Sequence, residues 1–351
     1  MPQRTHPLPE ALDIEDPAAL LSYLRSEGRI EAVERPRITV LPGGVSNRTV
    51  LVERESGESW VMKQALAKLR VPVDWFSSPE RIHRERLGLE WLARLAPLGS
   101  IAPLLFEDRA HHLLAMQAVP QPHRSWKTVL LAGEVCADHF RQFGVLLASI
   151  HSNAYGRSDL AETFGDRSFF ESLRLEPYYG YSAEQAPAAA PFLEKLIGDT
   201  LARPLTLVHG DYSPKNILVH QGRLILLDHE VIHYGDPAFD LGFSLTHFLS
   251  KAHHIPGLRG QFFQQASHYW NVYAETLGSP PWAEDLEPRA VRHTLACLLA
   301  RAVGRSPLEY LNPGERRRQR EAVLRILPSS PTTVSHLIAA FEEQLCQPSS
   351  V

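Results

Sequence analysis

Residues 208–219 read VHGDYSPKNILV and residues 226–243 read LLDHEVIHYGDPAFDLGF, so polar loops dense in carboxylate and amide side chains lie between apolar, strand-like runs. Asp211 precedes Asn216 by five residues, and Asp228 follows Asn216 by twelve. These side-chain types match what moving a γ-phosphoryl group demands: one carboxylate to take the acceptor hydroxyl's proton, and two oxygen ligands to hold Mg²⁺ against nucleotide phosphates. In that pattern Asp211 is the catalytic base and Asn216 and Asp228 are the metal ligands. A plain turn with two helix-capping aspartates explains less, since it requires neither Asn216 at that spacing nor an acidic residue ending the next apolar run.

The motif His209, Gly210, Asp211, Asn216 and Asp228 resembles the signature of the aminoglycoside phosphotransferase and choline kinase-like superfamily, small-molecule kinases similar to protein kinases. The resemblance covers about residues 35 to 310. It departs from the commonest family form at Lys215, where a small residue is usual, which leaves open whether Lys215 meets phosphate, substrate or solvent. It carries Asp-His-Glu at Asp228 to Glu230 in place of Asp-Phe-Gly, as these small-molecule kinases usually do. The resemblance implies a bilobal α+β fold with a mixed, β-rich N-terminal lobe and a mostly helical C-terminal lobe. It implies transfer from ATP, with GTP the alternative donor, to a hydroxyl of a small molecule such as a sugar, amino alcohol or antibiotic. It also gives Asp240 the task of holding the catalytic loop's backbone, while His209 reads as shaping the loop rather than as an acid or base. Asp236, followed by Pro237, reads as a structural helix cap.

The elements upstream must then cradle the nucleotide. Residues 37–65 read RITVLPGGVSNRTVLVERESGESWVMKQA, alternating apolar runs joined by polar turns. Gly43 and Gly44 at the first turn let backbone amides approach phosphate oxygens, and Ser46 and Asn47 follow. Lys63 ends a later run, where a kinase-like lobe places its phosphate-pairing lysine. Its carboxylate partner is expected on the helical stretch from Ser78 to Ala96. There Glu85, Leu89, Leu92 and Ala96 share one face, while Glu90 lies off it, so Glu85 is the expected partner.

The 351 residues, 44% hydrophobic, suffice for two lobes. The expected division is an N-terminal nucleotide-binding lobe over 1–118, with 1–28 a polar lead-in holding one short helix. A hinge over 119–124 (VPQPHR) follows, where the resemblance seats the adenine, and then a C-terminal catalytic and substrate lobe over 125–351. Helical periodicity marks 133–154, 187–201, 236–252, 259–277, 287–303 and 330–346. A formal charge of −4 gives no reason to invoke nucleic acid or a membrane surface. The N-terminus lacks a signal-peptide pattern and three scattered cysteines suit a reducing compartment, so a cytoplasmic location is expected. Oligomeric state leaves no trace in the sequence. The histidine pairs His111-His112 and His253-His254 read as ordinary side chains, because no carboxylate or cysteine stands at ligand spacing in the sequence.

For the acceptor, Arg301 and Arg305 are one helical turn apart and, with Glu230, are candidate substrate residues. Paired arginines suit a neutral polyol or an anionic group better than a polycation, although a surface helix face with salt bridges gives the same spacing. A protein kinase and a non-catalytic nucleotide-binding or scaffolding module are the alternatives. The complete Asp211, Asn216, Asp228 set argues against the scaffold, and the lack of an activation segment bracketed by Asp-Phe-Gly and Ala-Pro-Glu argues against the protein kinase.

Overall fold

The computed structural model describes residues 12–42, 44–70 and 74–347, so Gly43 and the first eleven residues of the lead-in lie outside the described residues. The chain divides into two compact units: one runs to Glu90 and includes Ala102–Pro120, and the other contains Trp91–Ile101 and everything from Gln121 onward.

In the first unit, Asp16 starts helix Pro17–Ser26 by accepting the Ala18 amide at 2.9 Å, with Pro17 supplying the helical φ in the first turn. An antiparallel sheet follows, made of β1 (Arg37–Val40), β2 (Asn47–Glu53), β3 (Ser59–Ala65), β4 (Leu104–Asp108) and β5 (Leu113–Gln117), in the order β1-β2-β3-β5-β4. Strand alternation decides what each face carries. Val50 and Val52 of β2 and Trp60 and Met62 of β3 join Leu20, Tyr23 and Leu24 of the helix in one core cluster. Lys63, one residue out of step with Met62, therefore points to the other face.

The turn joining β4 to β5 separates the adjacent histidines. His111 Nδ1 meets Asp108 at 2.7 Å, whereas His112, with φ +47°, turns toward His83 and Glu80. Helix Arg81–Leu95 begins in this unit and ends in the second.

Trp91–Ile101 groups with the second unit rather than with 1–118 because its backbone is bonded there. Leu95 O accepts from Asn153 Nδ2 at 2.8 Å, Leu98 O from Arg223 at 2.7 Å, and Ser100 O from the Leu226 amide at 2.8 Å. This unit is mostly helical. Its strands are β6 (His123–Ser125), β7 (Thr206–Val208), β8 (Ile217–His220), β9 (Arg223–Leu226) and β10 (His233–Gly235), arranged as a β6-β8-β9 sheet and a β10-β7 pair. Helices Ala137–Ala154, Ala190–Leu201, Ala238–His254, Arg259–Leu277, Leu286–Val303 and Val334–Cys346 stand where helical periodicity predicts them, within a few residues.

Helix Ala238–His254 is buried on all sides as far as His253. Its Phe248 joins Trp126, Phe140, Phe143 and Tyr269 in an aromatic cluster with ring centroids 4.7–5.9 Å apart. Several helical segments, among them Ser158–Phe164 and Pro313–Ile326, have no counterpart in the periodicity. Glu171–Gly180 is a π-helix with Pro177 inside it, and its wider turn accommodates a residue that would break an α-helix.

Candidate active site

Each residue of the motif sits at the end of a short strand. Asp211 lies just after β7, Asn216 just before β8, Asp228 just after β9 and Asp236 just after β10. Antiparallel β8–β9 pairing brings Ile217 opposite Leu226, and the Leu227 amide donates to Asn216 O at 2.9 Å, so the segments bearing Asn216 and Asp228 are tied side by side. Asn216 Nδ2 donates to Asp211 O at 3.0 Å. That bond commits the amide nitrogen and leaves Oδ1, a hard oxygen ligand, as the atom offered to a cation. Asp228 adopts φ +68°, a strained conformation for a non-glycine residue and one that clusters at functional sites.

The loop is held from beneath by Asp240. Its carboxylate, fully buried, accepts the His209 amide at 2.7 Å and the Gly210 amide at 2.8 Å, one on each oxygen. Burial alone would raise its pKa, but bonds from His151 and the His209 amide outweigh that and keep it below the usual aspartate value. Gly210 has φ +77°, and a Cβ there would meet Val231 at 3.0 Å, which is why the motif needs glycine.

His209 Nδ1 accepts the Asp211 amide at 3.2 Å and its Nε2 faces His229 Nδ1 at 3.1 Å. Burial lowers its pKa, so it is a neutral imidazole that shapes the loop. Tyr212 anchors the loop to the aromatic core, stacked on Phe143 at 4.1 Å and donating to Phe143 O at 2.8 Å. Asp236 accepts the Ala238 amide at 3.0 Å, as a cap does, and pairs with buried Arg289 at 3.0 Å.

Sequence reasoning did not find Arg174. From the π-helix its Nη2 reaches Asp211 Oδ2 at 2.9 Å and its Nε donates to Gly210 O at 2.9 Å. Burial opposes its charge, yet Asp211, Glu230 and Asp228 together raise its pKa and keep it cationic. The available signal was an arginine within the apolar run Leu173, Leu175, Tyr178, Tyr179, where a buried charge requires a partner.

The guanidinium groups of Arg174 and Arg301 stand 5.9 Å and 4.7 Å from the Tyr178 ring, so buried Arg301 connects to Asp211 through Tyr178 and Arg174. Arg305 does not share its helix, contrary to the spacing argument. Helix Leu286–Val303 stops at Gly304, whose amide closes on Ala300 O at 2.7 Å. Arg305 instead forms a part-exposed pair with Glu176 at 2.8 Å. Glu230 is buried and close enough to act on Arg174, while Lys215 is exposed.

In the first unit, Lys63 Nζ is 2.6 Å from Glu85 Oε1, and Glu85 is fully buried. Glu90 pairs with Arg86 instead, at 2.5 Å. A Cβ on Gly44 would lie 2.4 Å from Asn47 O, so this turn is closed tightly enough to require glycine. Asn47 is buried as the first residue of β2 and donates to Ser46 Oγ at 3.2 Å. Buried Arg81 donates to Ser46 O and to Leu66 O, pinning the turn and the end of β3 to one helix.

A family model described as a phosphotransferase enzyme family matches residues 37–276, more than half of the chain. This chain belongs to that phosphotransferase family. A methylthioribose kinase from Pectobacterium carotovorum subsp. carotovorum is 24% identical over 333 residues, covering 83% of this chain and 81% of that protein. An amicoumacin kinase solved with AMP-PNP, Ca²⁺ and Ami is 18% identical with a TM-score of 0.57, covering 84% of this chain and 89% of that one. A choline/ethanolamine kinase family protein from Mesorhizobium loti is 17% identical with a TM-score of 0.53, covering 94% and 100%. These structures share its fold, a mixed α+β, protein-kinase-like class. The phosphotransferase is a small-molecule kinase that uses ATP. Among its described residues no helix is long and apolar enough to cross a membrane.

Proposed function

We propose that Asp211 accepts the proton of a small-molecule hydroxyl as the γ-phosphoryl group of ATP moves to it, while Asn216 and Asp228 hold Mg²⁺. The observation carrying this reading is the clamp that fixes all three on adjoining strand ends: Asp240 on two loop amides, Asn216 on Asp211 O, and Leu227 on Asn216 O. Preorganised positioning is the main catalytic resource in phosphoryl transfer. Mg²⁺ would neutralise charge on the nucleotide phosphates, and the Asn216 and Asp228 oxygens are the donor type it prefers. Lys63, oriented by Glu85, would pair with α- and β-phosphate oxygens, and the Gly44–Asn47 turn would offer them backbone amides. Arg174 holds the Asp211 carboxylate on one oxygen, leaving the other for the acceptor hydroxyl.

The acceptor is a neutral or anionic hydroxyl compound, and the methylthioribose kinases among the relatives make a thio-sugar the leading class. Arg174, paired with Asp211, and Arg301, over the same Tyr178 ring, would set two cationic groups against a polycationic acceptor. Incubation with ATP, Mg²⁺ and a panel containing methylthioribose, simple sugars, choline and aminoglycosides, read by mass, tests this. Phosphorylated thio-sugar or sugar is expected. Aminoglycoside phosphorylation unaffected by Arg301→Ala would overturn the acceptor assignment, and a protein as the sole acceptor would overturn the small-molecule reading.

A further inference from the structure

Helix Arg81–Leu95 and the turn before β5 bring together side chains that lie far apart in the sequence. His83 Nε2 is 3.4 Å from His112 Nδ1, Glu80 Oε1 is 3.5 Å from His112 Nδ1, and Glu80 Oε2 is 3.9 Å from His83 Nε2. The three ligand atoms fit within 4.8 Å of one another. A tetrahedral ion with bonds of about 2.0–2.1 Å separates its ligands by roughly 3.3–3.4 Å, close to two of these edges. The third closes with a small rotation of Glu80, which is exposed.

Behind the pair stands a carboxylate. His83 Nδ1 is hydrogen-bonded to Glu107 Oε1, and Glu107 Oε2 is held by Arg86 Nε at 3.2 Å. A carboxylate on Nδ1 fixes the proton there and turns the Nε2 lone pair outward, toward His112, as in carboxylate–histidine–zinc arrangements. His83 is nearly fully buried, so its ring is immobilised. His112 is presented by a backbone at φ +47°, which few non-glycine residues adopt without a reason.

We propose that His83, His112 and Glu80 form a zinc-class transition-metal site, with Glu107 orienting His83 and water in the fourth position. Two imidazoles and one carboxylate suit Zn²⁺ over Mg²⁺ or Ca²⁺, which take oxygen. The bound ion joins the first turn of helix Arg81–Leu95 to the β4–β5 turn. Glu85, which holds Lys63, lies two residues beyond His83 on that helix, so the ion steadies the element that orients the lysine. The sequence conceals the site because its ligands come from a helix and a distant turn.

The test uses full-length protein stripped with a chelator and titrated with Zn²⁺ against a chromophoric competitor, in an Asp228→Asn background that weakens the other cation site. One equivalent is expected, lost in His83→Gln and in His112→Asn, and bound about 10–100-fold more weakly in Glu107→Gln. Asn at 112 tolerates the positive φ, so that variant keeps the turn. Co²⁺ should give the intense visible bands of a tetrahedral site, absent in His112→Asn, and Zn²⁺ should raise Tm only where His112 is present. Zn²⁺ stoichiometry and affinity unchanged by both histidine substitutions, or no Zn²⁺ bound in the Asp228→Asn protein, would overturn the site and leave a His112-to-His83 hydrogen bond.

Discussion

At the scale of single residues, the proposed chemistry rests on contacts of Asp211, only some of which were legible. Asp211, Asn216 and Asp228 announce themselves because three polar residues at fixed spacing among apolar runs have few other uses. Glu85 was legible from periodicity, since a carboxylate on the inward stripe requires a cation, and Lys63 meets it at 2.6 Å. Arg174 was not, because its partners arrive from loops more than thirty residues away. Removing its guanidinium leaves a buried carboxylate unpaired. Arg174→Ala should therefore destabilise the protein by about 3 kcal/mol or more, measured by urea unfolding. Arg174→Lys should recover part of that stability but less of the turnover, because ammonium keeps the charge and loses the fork that also bonds Gly210 O. Equal turnover in the Lys variant and the wild type would show that charge alone suffices. In a steady-state assay Glu85→Gln should lower activity more than Glu90→Gln, whose partner Arg86 is remote from Lys63 in role. Equal losses would separate the Lys63–Glu85 pair from catalysis.

Elements were legible where one periodicity ran unopposed and hidden where a local rule was broken. Six long helices of the second unit follow from apolar spacing, because a face or, in Ala238–His254, the whole helix is buried. Glu171–Gly180 was hidden by Pro177, which normally ends a helix and here is absorbed by a π-turn. Gly304 was a stop signal standing between Arg301 and Arg305, and it outweighs their spacing. The Ala238–His254 helix acts as a post for the loop: Asp240 in its first turn spends both oxygens on the His209 and Gly210 amides. Asp240→Asn would set an NH₂ group against one of those donors, leaving an amide unsatisfied at a cost of about 1–3 kcal/mol. Faster hydrogen exchange at His209 and Gly210, a lower Tm and reduced kcat are expected together. Unchanged exchange at both amides would mean that the clamp is dispensable.

At the scale of the whole molecule, buried neutral histidines set how stability responds to acid. Burial lowers the pKa of His209, takes His247 well below its usual value and brings His293 to about 3. The unfolded chain protonates these rings near pH 6.5 while the folded chain does not, so the unfolded state binds more protons and stability falls as pH drops below about 6.5. Asp236, whose carboxyl burial pushes upward, opposes this, while His139 and His253, also lowered by burial, add to it. The unfolding free energy from urea titration should thus be lower at pH 5 than at pH 7, by up to about 1.4 kcal/mol per histidine per pH unit, and a higher value at pH 5 would contradict the assignment. The grouping of Trp91–Ile101 with the second unit depends on backbone bonds that no sequence pattern records. The acceptor is hidden too, because no sequence motif encodes it. The central claim is that Asp211 takes the acceptor's proton on a preformed loop. The most direct measurement compares wild type with Asp211→Asn for ATP-dependent phosphorylation of a responsive hydroxyl compound and for Mg-ATP affinity by calorimetry. The account predicts a kcat lower by about 10²–10⁴-fold with nucleotide affinity nearly unchanged, and turnover near wild type in the variant would contradict it.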